Sequence, residues 1–430
     1  MDKKIAVIGS GIAGLTAGWL CRDSGADVTI FEAHSQRGMD LHTFYLDQED
    51  KKSGYVDLPL RVMSPHAWPL TLKICEILGV KTFEVDTPVA CSWLNEGTWF
   101  RSSKFQIGSK LVPWTPIRYL FHSETYRILF GFIKILKSHP DNLNPGSTVK
   151  EFIKQQNVDP LFSKGLLYPL LTTICTCDQN SLDNWPAMQI LDLMKKIVFG
   201  VRLRRIAGGT KALAEKLGKG LNWQSGVYVE DLSEESAGIF LRSQNKIFGP
   251  FNNVICAVQA NQLKFLPNHY DLELKILRSF PYTSGTLWIH SDMRFMPKSN
   301  KDWSALHYQV KKDLSNSMFS VWVNPIEPSI VKHKPVIQTW NPIFEPKQEN
   351  VYKTLTMERA VVSGENKNLL KELDHLHKLP SRNVFFCGSY AAPGVPLLES
   401  AVRSAIKVVN KLGFDSVNKE ILEMCSSELH

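Results

Sequence analysis

Gly9, Gly11 and Gly14 stand in the stretch GSGIAG, directly after the apolar run Ile5–Ile8. Glycines at this spacing can cradle a pyrophosphate. Gly9 permits a tight turn out of a strand, and Gly11 lets the backbone approach phosphate oxygens. Gly14 lets the following helix press against a sheet. Ala13 belongs to the same turn. Glu32 closes the next apolar run, Val28–Phe31, where an acid can accept hydrogen bonds from ribose hydroxyls. Its charge would repel a 2′-phosphate, which disfavours NADP. The alternative is a glycine-rich turn that only packs.

These residues work only if particular elements position them. Ile5–Ile8 must be a buried parallel strand. The stretch carrying Leu15, Trp19 and Leu20 must be a helix, with unpaired N–H groups and a partial positive charge at its start. Ser24-Gly25 stops that helix, and Val28–Phe31 must be the second strand. Alone, this unit does not choose between NAD and FAD.

Beyond Glu32 the chain resembles the flavin amine oxidase and phytoene desaturase superfamily. Arg37-Gly38 fits the family's Arg-Gly-Gly turn, although Met39 replaces the second glycine. The stretch VFFCGSYAAPGVPLLESAVRSAIKVVNKLG at 384–413 resembles the closing motif, a strand, a Gly-Asp or Gly-Glu pair and a Glu-Gly-Ala-containing helix. Ser389 stands where most members carry an acid. Arg205–Thr210 resembles the GG turn before a helix, and Val227–Val229 and Val254–Val258 resemble the strand pair after it. Asp57–Met63 resembles the segment that passes beside the flavin ring.

The resemblance implies FAD as cofactor. Its contacts would be Gly9, Gly11, Ala13, Gly14, Glu32, Arg37, Gly38, Arg61, Val62, Val229, Gly388, Ser389, Leu398 and Glu399. It implies an α/β, two-lobed flavoprotein with a Rossmann-like FAD lobe and a substrate lobe of mixed sheet and helices. The FAD lobe would comprise 1–80, 206–262 and 380–414. The substrate lobe would comprise 81–205 and 263–379, and 415–430 would form a frayed or loosely docked tail. One bacterial branch of amine-oxidase-like desaturases shares looser phrases, among them His42-Thr43, Ile289-His290 and Trp340-Asn341-Pro342.

Helices are expected at Arg118–Lys137, Thr148–Gln156, Leu161–Thr173 and Met188–Val198, and strands at Thr286–Ser291 and Phe319–Val323. A flavin carries hydride chemistry itself, so no dedicated acid or base is required. His290 and Asp292 are weak catalytic candidates because two positions apart on a strand share a face. A hydrogen-bonded structural pair is the plainer alternative, and His42 has the same two readings.

Two features of the amine oxidases are missing. Leu397 or Leu398 stands where they place an aromatic wall of an amine cage. Thr286 stands where they place a lysine near the flavin, and no lysine lies between Arg278 and Lys298. A cation without the ring faces loses about 0.5–2 kcal/mol of attraction. An oxidoreductase removing hydride from, or isomerising, a hydrophobic lipid or terpenoid-like substrate is therefore expected. An amine oxidase with an altered cage and a non-enzymatic flavin scaffold remain alternatives. An NAD-only dehydrogenase leaves 384–413 unexplained.

Composition narrows the classes further. The chain has 430 residues, of which 43% are hydrophobic and 21% charged, as in an ordinary globular protein. The net charge of +8 is mild for this length. No zinc-finger spacing or RNA-binding aromatic motif points to nucleic acid. Eight scattered cysteines without a CxxC read as reduced core thiols, and no metal site is expected. Lys3-Lys4 leads directly into the first strand, so no signal peptide and a cytoplasmic location are expected. Residues 111–137 interleave apolar and basic side chains, which allows peripheral membrane contact as well as ordinary core packing.

Overall fold

The computed structural model describes residues 3–47, 54–107, 110–138, 144, 146–175, 177–198, 202–414 and 419–427. The chain begins with strand β1 (Lys4–Ile8), helix α1 (Ile12–Asp23) and strand β2 (Asp27–Glu32). Helix α2 (Pro69–Ile77) follows, then β3 (Val89–Trp93), β4 (Thr98–Arg101) and helix α3 (Ser123–Lys137). Helix α4 (Gly209–Leu217), β5 (Asn222–Ser225) and β6 (Asn253–Cys256) come next. A run of strands then covers β7 (Tyr282–His290), β8 (Leu306–Val310), β9 (Ser317–Trp322), β10 (Ile337–Trp340) and β11 (Val351–Ala360). Strand β12 (Val384–Phe386), helix α5 (Leu398–Lys411) and helix α6 (Lys419–Ser427) complete the elements that position the site.

Two sheets organise these elements. The first has the order β5-β2-β1-β6-β12 and is parallel throughout. Its central strand β1 is buried from Ile5 to Ile8, as a strand covered on both faces must be. Helix α1 crosses from β1 to β2 and is buried from Ile12 to Cys21. The second sheet has the order β11-β7-β10-β9-β8-β3-β4 and is antiparallel except where β8 runs beside β3. One apolar core lies between the first sheet and α1, α2 and α5. Another joins the second sheet to the helices of residues 123–194. This is the mixed α/β, two-lobed architecture expected from the sequence.

Several expectations need correction. The helix expected over Arg118–Lys137 begins as a 3-10 turn, Ile117–Phe121, and breaks at His122 before α3. Leu161–Thr173 contains a π-helical turn at Ser163–Leu167. Val227–Val229 is not a strand; pairing with β2 is made earlier, by β5. Strand β7 starts at Tyr282, four residues before the expected start. The end of the chain does not fray over 419–427, because Ile421 and Cys425 on α6 are buried against the core shared by α2 and α5. The remaining residues of 415–430 lie outside the described ones. All eight cysteines are buried free thiols.

Candidate active site at the junction of the lobes

The glycine turn has the geometry that a pyrophosphate needs. Gly9 sits at φ +100°, and its N–H donates to Phe31 O at 2.8 Å, tying the turn to β2. A Cβ added to Gly14 would lie 2.0 Å from the Gly9 carbonyl oxygen, so only glycine lets α1 pack this closely. A Cβ added to Gly11 would meet nothing within 4 Å. The space beside Gly11 is open, and Gly11 caps α1 without any side-chain hydrogen bond. The first N–H groups of α1, at Ile12, Ala13 and Gly14, therefore lack a capping side chain, as anion-binding helix starts do.

Glu32 is anchored at the end of β2. Its Oε2 accepts from the Ser10 N–H at 3.1 Å and from the Ser10 hydroxyl, and its Oε1 accepts from His34 N at 2.9 Å. An ionised carboxylate has about four acceptor positions, so Oε1 can accept one more donor. Ser10 Oγ in turn accepts from Gly38 N at 3.0 Å, which brings the Arg37-Gly38 turn beside Glu32. Arg37 itself points to β5. Its Nε donates to Ser225 Oγ at 3.1 Å, and its guanidinium lies 5.4 Å from the Trp223 ring centre. Val229 is buried in one cluster with Ile8 and Phe31. These residues fit the ADP half of a dinucleotide: open space beside Gly11, helix-start N–H groups without a capping side chain, and an acid at the end of the next strand.

The closing motif divides its work. Gly388, just after β12, donates its N–H to Ser404 Oγ of α5 at 2.9 Å, and Ser389 beside it is partly exposed. Helix α5 starts at Leu397 with no side-chain cap. Glu399, expected to face the cofactor, turns to α2 instead. Its carboxylate accepts from Leu70 N and Thr71 N at 2.9 Å each, and from Thr71 Oγ1 at 2.7 Å. It therefore caps the first turn of α2, and burial pushes its pKa up. Leu397 and Leu398 pack partly buried against the same core.

Between the sheets, the segment 57–63 is held at several points. Asp57 accepts from Thr210 N at 2.9 Å, Thr210 Oγ1 at 3.1 Å and Arg205 Nη2 at 3.3 Å. Arg205 also reaches Glu327 at 2.6 Å, and all three charged side chains are buried. Gln338 on β10 clamps the same segment, donating to Asp57 O at 2.7 Å and accepting from Leu60 N at 2.8 Å. Arg61 donates to Thr210 Oγ1 at 3.2 Å.

The surface that results is apolar with a positive edge. Leu60 and Val62 join one apolar cluster with Trp340, Leu355, Met357 and Val395, all partly buried. Strand β11 alternates strictly, so Arg359 shares the half-buried face with Leu355 and Met357. Arg359 feels the charge of Arg61. Burial lowers the pKa of both, and the Arg61 charge adds to that lowering at Arg359, whose pKa falls to about 10. His42 feels both arginines. Burial, then the charge of Arg61, brings its pKa down to about 4, so the ring is neutral at pH 7.

A Rossmann-like family model described as an NAD(P)-binding domain matches residues 7–72. Bovine flavin-containing amine oxidase B is 30% identical over 125 residues, 29% of this chain and 22% of that protein. The chain thus aligns with less than a quarter of that curated relative's length. Among solved structures, wild-type putrescine oxidase superimposes with a TM-score of 0.64 at 13% identity, covering 96% of this chain and 99% of that one. The fatty acid isomerase of P. acnes that produces CLA superimposes with a TM-score of 0.64 at 15% identity, covering 95% and 98%. The chain shares the fold of these two enzymes over nearly its whole length.

In this fold one of the departures noted in the sequence acquires a position. Thr286 lies in the middle of β7, its N–H bonded to Asn341 Oδ1 at 2.7 Å. The neighbouring Gly285 is covered by the Trp340 ring, which an added Cβ would meet at 2.2 Å. The Trp340-Asn341 phrase thus braces β7 at the level of the missing lysine.

His290 and Asp292 are not brought to this junction. His290, the last residue of β7, bonds Thr339, which alternates with Gln338 along β10, so its ring lies on the sheet face opposite the one that clamps 57–60. Asp292 lies past the strand. It caps a 3-10 turn and binds the Arg294 guanidinium and Lys347 N. His290 is buried between Thr339 Oγ1 at 3.0 Å and Asp292 N at 3.2 Å, and burial brings its pKa to about 4. The pair is structural here. Arg359 and Gln338 were absent from the sequence reading. The alternation of 351–360 was the available signal for Arg359; Gln338 had none.

Proposed function

We propose that this chain binds FAD and removes hydride from an apolar organic substrate, either to dehydrogenate it or to isomerise it by returning the hydride. The observation that carries this reading is a group of half-buried apolar side chains, Leu60, Val62, Leu355, Met357 and Val395, packed on one core, with Arg61 and Arg359 on the same two segments. When bound, FAD supplies the hydride acceptor. The glycine turn and the start of α1 hold its pyrophosphate, and Glu32 takes the ribose hydroxyls. Leu60, Val62, Leu355, Met357 and Val395 exclude water and hold an apolar chain. The two guanidiniums favour an anionic group and disfavour a cation. At about 4 Å, like charges repel by about 1–4 kcal/mol between bulk water and a protein surface.

The likeness to the fatty acid isomerase supports an acyl-chain substrate. The likeness to flavin-containing amine oxidase B supports a second reading, oxidation of an amine in a cage built from other residues.

The test is an absorption spectrum of the purified protein, followed by anaerobic titration with fatty acids and terpenoids. Flavin bands that bleach with an apolar substrate are expected. Protein that is colourless and does not take up added FAD sinks the proposal. Hydrogen peroxide released from an amine panel, with no bleaching by lipids, gives the place to the second reading. Bound flavin that nothing reduces leaves a non-catalytic scaffold.

A further inference from the structure

Helix α3 has two apolar faces, and only one is used. Its inner face buries Thr125, Ile128, Gly131 and Ile135. Gly131 lies against the Phe162 ring so closely that an added Cβ would be 2.1 Å from it. Core packing is therefore complete on that side. The opposite face nevertheless carries Tyr126, Phe130 and Ile133 at helical spacing, all exposed. The turn that leads into it adds Ile117 at 67% and Phe121 at 86% exposure, and Trp114 stands exposed just before. Phe130 is 63% exposed. Side chains of this size, clustered on one surface, are uncommon on a monomer without a partner.

The charges around the patch name the partner. Over 114–137 there are four basic residues, Arg118, Arg127, Lys134 and Lys137, against the single acid Glu124. Arg118 is paired with Asp302 at 2.5 Å and Arg127 with Asp159 at 2.7 Å. Lys134 and Lys137 stand exposed in the last turn, beside Phe130 and Ile133. Aromatic and aliphatic side chains above a lysine rim match an interface of acyl chains below anionic headgroups. A contact with a second copy would instead deplete lysine. No helix among the described residues is long and apolar enough to cross a membrane.

We propose that the face formed by Trp114, Ile117, Phe121, Tyr126, Phe130 and Ile133 docks the protein on an anionic bilayer surface. Helix α3 lies in the plane of the interface and inserts about 5–10 Å. This inference does not rest on the flavin reading.

Vesicle co-sedimentation of the full chain tests it. Vesicles of phosphatidylcholine with phosphatidylglycerol capture the protein, and capture falls as salt is raised. The double variant Phe121→Glu/Phe130→Glu weakens partitioning by at least about tenfold. Its thermal stability stays unchanged because both rings are already in water. Lys134→Gln and Lys137→Gln each cost about fivefold on the anionic vesicles and little on phosphatidylcholine alone. Failure of the parent chain to bind anionic vesicles overturns the proposal. So does a double variant that binds like the parent. So does a concentration-dependent dimer that the double variant dissolves, since the face would then be a self-contact.

Discussion

Gly11→Ala separates folding from cofactor binding, because the structure places open space where the new methyl would go. Gly11 has φ −64° and ψ 175°, which alanine adopts without strain. No atom lies within 4 Å of the added Cβ. Alanine in place of glycine at a helix N-cap costs about 1 kcal/mol or less. The apo-protein should therefore unfold within about 2 °C of the parent. The same methyl would occupy the approach that a pyrophosphate uses. Losing that close contact should weaken FAD binding by at least about tenfold, or about 1.4 kcal/mol. Gly14→Ala is the opposite case. Its Cβ would lie 2.0 Å from Gly9 O, more than an ångström inside van der Waals contact. Helix α1 must move off β1, at a cost of about 3 kcal/mol or more. The assays are flavin fluorescence quenching with apo-protein and calorimetry of the same samples. Unchanged FAD affinity in Gly11→Ala would refute the placement of the pyrophosphate. A large drop in apo-stability for that variant would refute the open space itself.

Arg205→Met should cost about 3–5 kcal/mol in denaturant unfolding, because Asp57 and Glu327 would remain buried without their cation. A loss under about 1 kcal/mol would show that water reaches the two carboxylates. The buried rings of His290 and His307, both brought to about pKa 4 by burial, make stability pH-dependent. Their folded pKa lies below the unfolded value, so this stability is complete above about pH 6.5 and is lost as pH falls toward 4. At about pH 5 each ring should cost about 2 kcal/mol, and a melting temperature unchanged between about pH 7 and pH 5 would contradict this. His290→Gln should lower stability yet leave flavin binding intact, since the ring lies on the sheet face opposite Gln338; loss of flavin with an unchanged melting curve would return His290 to the site.

The nucleotide turn was legible because its parts are local. Strand, glycines, helix and acid follow one another within residues 4–32, and each has a steric reason to be what it is. Residues whose partners lie far along the chain were not. Glu399 sits within a motif that the family resemblance assigns to the cofactor, yet Leu70 and Thr71 take its carboxylate across more than three hundred residues. His290 and Asp292 looked like a face-sharing pair only while β7 was expected to continue to Ser291; the strand ends one residue earlier and the parity argument ends with it. Arg359 became visible once β11 was seen to alternate beside Met357. The helix at 419–427 has too few apolar residues to announce itself, and its burial is supplied by α2 and α5.

The order of the first sheet sets a timetable for synthesis. Strand β1 leaves the ribosome well before its second neighbour, β6, which lies more than two hundred residues downstream, and β12 closes the edge only after residue 384. Glu399 then locks α2, an element made long before. A nascent chain must therefore carry a half-built sheet with an open edge until β12 is made. Helper proteins that shield bare strand edges would have their longest task here, and interrupted synthesis would release a fragment that exposes β6 to proteolysis.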